Sequence, residues 1–265
     1  MVRAHTLMAN LLLLVAILCC SVAFGFGQLG SSLPTAKEVV ERYDQALGGR
    51  DAIMRYRSCT MKGTLELHRH ADAMSLTFVY FAMAPYLRLE RVTLPNSGGD
   101  VLNGFDGESA WSFDPRSGPE IYLGNDRESV KRDADFYYPL NELSWFKSME
   151  TVRIEDFEGR PCYRLHGINN WNKSNDHFYD RDTGLLAGYE FESPLGLTHE
   201  IFTDYTKIDG VLFPMRRTVK AKSGSGWTVK QGLNYESVSF NDVDPAVFTP
   251  PRAVLNLLRK PGAPL

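Results

Sequence analysis

Residues 197–219, LTHEIFTDYTKIDGVLFPMRRTV, decide the architecture. Two strand-like runs flank Asp209-Gly210. Such a pair between alternating segments is a strong hairpin signal, because a two-residue reversal needs the positive φ that glycine adopts freely. In the second run Val211, Phe213, Met215 and Val219 fall on one face, since side chains alternate across a strand with a period of two. The predicted unit is an antiparallel pair with one apolar and one wet face.

The same grammar extends in both directions. Strands are predicted near 150–157, 161–168, 175–180, 185–193, 197–208, 211–222 and 227–240, with reversals at Glu158-Gly159, Asp182-Thr183-Gly184, Asp209-Gly210 and 223–226. Trp227, Val229, Leu233 and Tyr235 form one apolar line, and Leu185, Ala187, Tyr189 and Phe191 another, with Glu190 and Glu192 opposite. Earlier strands are predicted near 58–69, 74–83, 86–94, 100–105, 108–114 and 119–123. The run Met74–Met83 is apolar on both faces and should be covered twice.

Helices interrupt this pattern twice. Thr35 and Glu38 have the spacing of a capping box, Val39, Val40, Tyr43, Ala46 and Leu47 share one helical face, and Gly48-Gly49 ends the helix. A short turn follows near Asp51 to Tyr56. A second insertion, NDRESVKRDADFYYPLNELSWFKSM, is predicted to be capped by Asn125 and to break near Pro139, with a charged first half and an aromatic second half. It reads as a helix lying across the mouth of a sheet.

The amino-terminal segment has Arg3, an apolar run from Leu11 to Cys20, then small residues at Ser21 and Ala23. This is the order of a secretory signal peptide cleaved after Ala23. The run is short of the roughly 20 residues a spanning helix needs. Leu18 before Cys19 is a poor lipobox, so the expectation is a soluble exported protein without a lipid anchor. The predicted division is 1–23 signal peptide, 33–251 one domain, and 252–265 a tail that packs or frays.

The chain has 265 residues, with 29 Lys and Arg against 32 Asp and Glu. That balance does not call for a nucleic-acid partner. Cys59 and Cys162 remain after the leader; a single bridge and two unrelated buried thiols both fit the sequence.

Candidate chemistry is thin. His68 and His70 share a strand face but lack a third metal ligand; His199-Glu200 begins an HExxH, yet Thr203 stands where its second histidine belongs. Asp176, Asp180 and Asp182 lie around a turn too short for a calcium loop. There is no nucleophile elbow or phosphate loop, so neither catalytic residues, nor a metal, nor a cofactor is assigned. Of His199, Glu200 and Asp204, the two acids are predicted to share a face that His199 leaves. In NGFDGESAWSFDP, residues 103–115, the acids belong to turns and Ser109, Trp111 and Phe113 share a face.

Five segments in order carry a resemblance: LPTAKEVVERYDQALGG with RSCTMKGTLEL, NGFDGESAWSFDPRSGP, EGRPCYRLHGI, YDRDTGLLAGYE, and TDYTKIDGVLFPMRRTV before NYESVSFNDVDPAVFTPP. The chain resembles the bacterial outer-membrane lipoprotein-sorting superfamily (LolA/LolB-like), in its loosely characterised periplasmic subgroup. The resemblance implies a strongly curved, half-open antiparallel β-barrel, mainly β with a helical lid, whose concave apolar face holds lipid. It implies a non-catalytic periplasmic carrier for a lipid or a lipoprotein acyl chain. An envelope sensor with a protein partner is the alternative, and an enzyme on this fold stands third. It raises Met74, Phe78, Phe81, Trp111, Phe136, Trp145 and Phe213 from plain core to cavity lining. Ligand release in the family's chaperone involves an inward-facing arginine near the lid, for which Arg88 and Arg91 are the candidates.

Overall fold

A computed structural model describes residues 32–69, 72–96, 98–224 and 226–259. The proposed signal peptide, His70, Ser225 and the last residues of the tail lie outside them.

Helix α1 (Ala36–Leu47) starts at the predicted box: Glu38 N–H donates to Thr35 Oγ1 (3.2 Å), and Thr35 N–H donates to Glu38 Oε2 (2.7 Å). Its buried face, Val39, Val40, Tyr43 and Leu47, packs on Leu165, Tyr179, Leu186 and Val211 of the sheet. Burying side chains of this kind contributes roughly 1.5–3 kcal/mol each. The short helix α2 (Arg50–Met54) follows and buries Ile53.

Six strands come next: β1 (Ser58–Arg69), β2 (Asp72–Met83), β3 (Leu87–Thr93), β4 (Asp100–Asp106), β5 (Ala110–Asp114) and β6 (Gly118–Tyr122). The lid then runs through α3 (Gly124–Asp133), α4 (Tyr138–Asn141) and a 3₁₀ turn (Glu142–Trp145). Seven more strands follow: β7 (Phe146–Phe157), β8 (Arg160–Asn169), β9 (Ser174–Asp180), β10 (Leu186–Ser193), β11 (Gly196–Ile208), β12 (Val211–Ser223) and β13 (Gly226–Phe240). A 3₁₀ turn (Pro245–Phe248) and α5 (Arg252–Leu258) close the described chain.

The strands form one sheet in the order β6-β5-β4-β3-β2-β1-β13-β12-β11-β10-β9-β8-β7. Every pairing is antiparallel. The chain begins mid-sheet, meanders out to edge β6, crosses to the far edge β7 and meanders back to pair β13 with β1. The lid is the crossing, so it joins the two unpaired edges of the sheet. At Asp209-Gly210 both residues have positive φ, 47° and 95°, as the primed hairpin turn requires.

The lid departs from its sequence reading in two ways. The residue capping α3 is Leu123, with no side-chain hydrogen bond, and Asn125 lies inside the helix. The break falls at 134–137, while Pro139 sits in the first turn of α4, where its missing N–H costs nothing. A β-bulge between Leu186 and Gly188 also splits the line predicted for β10. Leu186 and Tyr189 pack beneath α1, whereas Ala187 joins Phe157, Cys162, Phe178 and Ile201 on the opposite face.

Strand β2 is covered twice, as expected. Leu76, Phe78 and Ala82 are buried on the face that carries α1 and the lid, here the inner face. Phe81 and Met83 pack on the outer face with Leu89, Trp111, Phe248 and Val254. Helix α5 thus packs on the sheet, with Val254 wholly buried.

Candidate functional site: a cavity beneath the lid

A cavity of about 190 Å³ lies between the inner face, α1, α2 and the lid. Tyr43 and Leu47 come from α1, Ile53 from α2, Cys59 and Met61 from β1, Tyr80 and Ala82 from β2, Phe213 from β12, and Phe136 and Pro139 from the lid. Alternation on β1 and β2 and the stripe of α1 bring these apolar groups together. Asp135 is the one carboxylate at the wall.

One buried carboxylate orders the lid internally and a second ties it to the sheet. Asp135 is 7% exposed; Trp145 Nε1–H donates to its Oδ2 (2.9 Å), Asn141 Nδ2–H₂ to both oxygens (3.1 Å each), and Tyr137 N–H to Oδ1 (3.1 Å). Glu142, 1% exposed, places Oε1 2.5 Å from His177 Nδ1 and accepts from the Tyr179 hydroxyl at 2.6 Å, while Oε2 has no partner. Burial first, and the Glu142 carboxylate next, hold the Tyr138 and Tyr179 phenols well above their ordinary pKa, so they stay neutral donors. The Glu142 pair is sealed inside protein, which suits it to fixing the lid on β9. Further out, Phe136 N–H donates to Pro85 O (3.1 Å) and Asn170 N–H to Trp145 O (3.1 Å), tying the lid to loops from both halves of the sheet.

Of the nine residues singled out from sequence, Phe136 and Phe213 line the cavity. Phe78 is buried farther along the inner face, edge-on to Tyr235 at 6.1 Å. Trp145 serves the Asp135 anchor, and Met74 is 43% exposed at the strand end. Arg88 faces inward, above the Tyr80 ring at 5.9 Å and paired with Glu90 at 2.7 Å. Phe81, Arg91 and Trp111 lie on the outer face and do not line the cavity: the Arg91 guanidinium covers Phe81 (5.9 Å), and Trp111 is 1% exposed beneath Phe248 and Val254. That end of the sheet is covered on both faces, with α3 packed on Phe105 and Ala110 opposite, so an apolar line alone could not show which face was inner.

Among the described residues no group of three or more His, Cys, Asp or Glu is arranged to hold a metal ion. His199 bridges strands, with Nε2 2.8 Å from Glu190 and Nδ1 3.1 Å from Glu158. Asp204, with φ of 57°, is exposed. Cys59 and Cys162 are both free and buried, Cys59 at the cavity and Cys162 on the outer face, and burial pushes each thiol up to about 12. Sequence reading missed Asp135, Glu142, His177 and Arg217. The available signal was a charge in phase with an apolar line: Arg217 falls between Met215 and Val219.

No family model matches the chain, and no curated protein matches its sequence. Solved structures do match. A LolA superfamily protein from Nitrosomonas europaea superposes with a TM-score of 0.58 at 16% identity, covering 82% of this chain and 99% of that one. A DUF1329 family protein from Desulfovibrio piger gives 0.58 at 13% identity, with 80% and 96% covered. A domain assigned as an outer membrane lipoprotein-sorting protein from Vibrio parahaemolyticus gives 0.57 at 13% identity, with 80% and 95% covered. At these identities the likeness shows the fold: the chain has the LolA-like architecture, an open antiparallel barrel under a helical lid. Among the described residues no helix is long and apolar enough to cross a membrane.

Proposed function

We propose that this protein is an exported carrier that binds the acyl portion of a lipid or lipidated partner in the cavity beneath the lid. The observation that carries the reading is the cavity itself, walled by Leu47, Ile53, Met61, Ala82, Phe136 and Phe213. Small-molecule sites usually span about 300–1,000 Å³, so about 190 Å³ admits only part of a chain while the lid is closed. Entry of a whole chain requires the Phe136–Pro139 segment to lift. Each methylene then buried contributes about 0.8 kcal/mol, which replaces the contacts the lid gives up. The leader-like amino terminus supports export, and the neighbour assigned to lipoprotein sorting supports the ligand class.

The test is recovery of the protein from its own cell envelope, followed by native mass spectrometry, lipid extraction and displacement of the neutral probe 1-aminoanthracene by dodecanol. A bound lipid and displacement are expected. A protein recovered empty that also ignores both compounds would sink the carrier reading.

A further inference from the structure

The turn between β7 and β8 reaches far across the outer face of the sheet. Glu158 and Gly159 both have positive φ, 53° and 82°. Phe157 stacks on Phe178 at 4.1 Å, and Arg160 Nη2–H donates to Ala187 O on β10 (3.1 Å) and to Phe202 O on β11 (3.3 Å). Glu158 Oε2 accepts from Lys220 Nζ on β12 (2.5 Å). Between this turn and the sheet lies a second cavity, an open hollow of about 270 Å³.

Alternation builds the floor of the hollow. On β11 and β12 the cross-strand partners are Ile201 with Thr218 and Thr203 with Arg216, and Lys220 follows Thr218 by two residues. Ile201 fixes the face as the outer one, because it packs with Phe157, Cys162 and Phe178. Arg216, Thr218 and Lys220 therefore recur about every 7 Å along β12 on that face. Glu158 and Arg160 of the turn supply the opposing wall.

Three cations, Arg160, Arg216 and Lys220, line the hollow against one carboxylate, Glu158. That carboxylate is already engaged by Lys220 and lies 3.1 Å from His199 Nδ1. Burial raises its pKa, but the bonds from Lys220 and His199 more than offset this and hold it below the ordinary value, so it stays charged. Asp156, beside the turn, accepts from Gly159 N–H (3.0 Å). Among the described residues neither Arg160 nor Arg216 has a carboxylate partner, and Arg216 is exposed. Guanidinium groups keep their charge at any working pH and match phosphate oxygens in planar, charge-assisted geometry.

We infer that this outer hollow binds a phosphate monoester, its phosphoryl group held by Arg160, Arg216 and Lys220, with the Thr203 and Thr218 hydroxyls as neutral donors. Three cations less one carboxylate leave a surplus of two positive charges in the lining, which matches a monoester carrying about −2 near neutral pH. Ile201 gives the floor an apolar contact for the carbon that bears the phosphate. The site is on the opposite face of the sheet from the cavity beneath the lid and does not rest on the carrier reading.

Isothermal titration calorimetry at low salt with glycerol 3-phosphate, and with glycerate as a carboxylate of similar size, tests this. The phosphate should bind with one site per chain, at least about tenfold more tightly than glycerate, and weaken as salt is added. Arg216→Gln changes an exposed, unpaired side chain, so the variant should keep its fold by circular dichroism and lose at least about tenfold in affinity. The charge-neutral double variant Lys220→Gln/Glu158→Gln, which strands neither partner, should weaken binding as well. No binding of glycerol 3-phosphate, equal affinity for glycerate, or full affinity in both variants overturns the site. Flotation with phosphatidylcholine vesicles carrying phosphatidic acid separates the sources of the phosphoryl group. Arg216-dependent flotation assigns it to a lipid head, and binding of glycerol 3-phosphate without flotation assigns it to a soluble monoester. Displacement of 1-aminoanthracene by dodecanol should be the same with and without glycerol 3-phosphate, so the carrier reading and this one can fail separately.

Discussion

Glu142 Oε1 lies 2.5 Å from His177 Nδ1 and 2.6 Å from the Tyr179 hydroxyl, so one carboxylate oxygen pins the lid's 3₁₀ turn to strand β9. Removing one partner of such a buried pair strands the other. Glu142→Ala should therefore cost about 3 kcal/mol or more in urea unfolding. Glu142→Gln, which keeps an acceptor for Tyr179, should cost less. A Glu142→Ala protein with unchanged stability would show that the pair does not hold the lid.

The tryptophans separate the two faces of the sheet. Trp145 donates to Asp135, next to cavity residue Phe136, whereas Trp111 is packed under Phe248 and Val254 on the far face. A cavity ligand should change Trp145 emission and leave Trp111 silent. Trp111→Phe is expected to retain the ligand-induced fluorescence change and Trp145→Phe to lose most of it. The reverse result would relocate the ligand to the outer face.

Ala82 is a buried cavity wall facing Phe136 and Phe213 in one cluster. Ala82→Leu fills existing space, so its stability change should stay within the 1–3 kcal/mol typical of overpacking, and be smaller where the void accepts the side chain. Affinity for dodecanol should fall at least about tenfold, near 1.4 kcal/mol. Undiminished binding, in a variant shown to be folded by circular dichroism, would move the chain elsewhere.

Asp44 supplies a pH test. Burial, with the Glu142 carboxylate nearby, raises its carboxyl to about 7, against about 3.9 in an unfolded chain. Between these values the unfolded chain has lost a proton that the folded one keeps, so this group lowers stability progressively as pH rises from about 4 to about 7. Asp44→Asn should melt higher than wild type at pH 8 and alike at pH 4. The carboxyl is only partly withdrawn from water, so the gain is small. A melting difference independent of pH would show that Asp44 titrates normally.

Much of the fold was legible locally. The capping box at Thr35 and Glu38, the hairpin at Asp209-Gly210 and the period-two lines each depend on residues a few positions apart. Errors arose where local signals met a tertiary demand. The bulge at Leu186–Gly188 turned Ala187 away from Tyr189, and α3 starts at Gly124 behind Leu123, with Asn125 inside the helix.

The sequence by itself determined the antiparallel strands, the amphipathic first helix, the aromatic insertion and a chain without a recognised catalytic motif, because these follow from steric preference and alternation along the chain. Only the tertiary structure decided which apolar face is inner, since the face of Trp111 is covered as fully as the face of Phe105. It alone brought Glu142 to His177 across 35 residues. Burial and long-range pairing are properties of the whole sheet, and alternation cannot report which distant strand a side chain will meet.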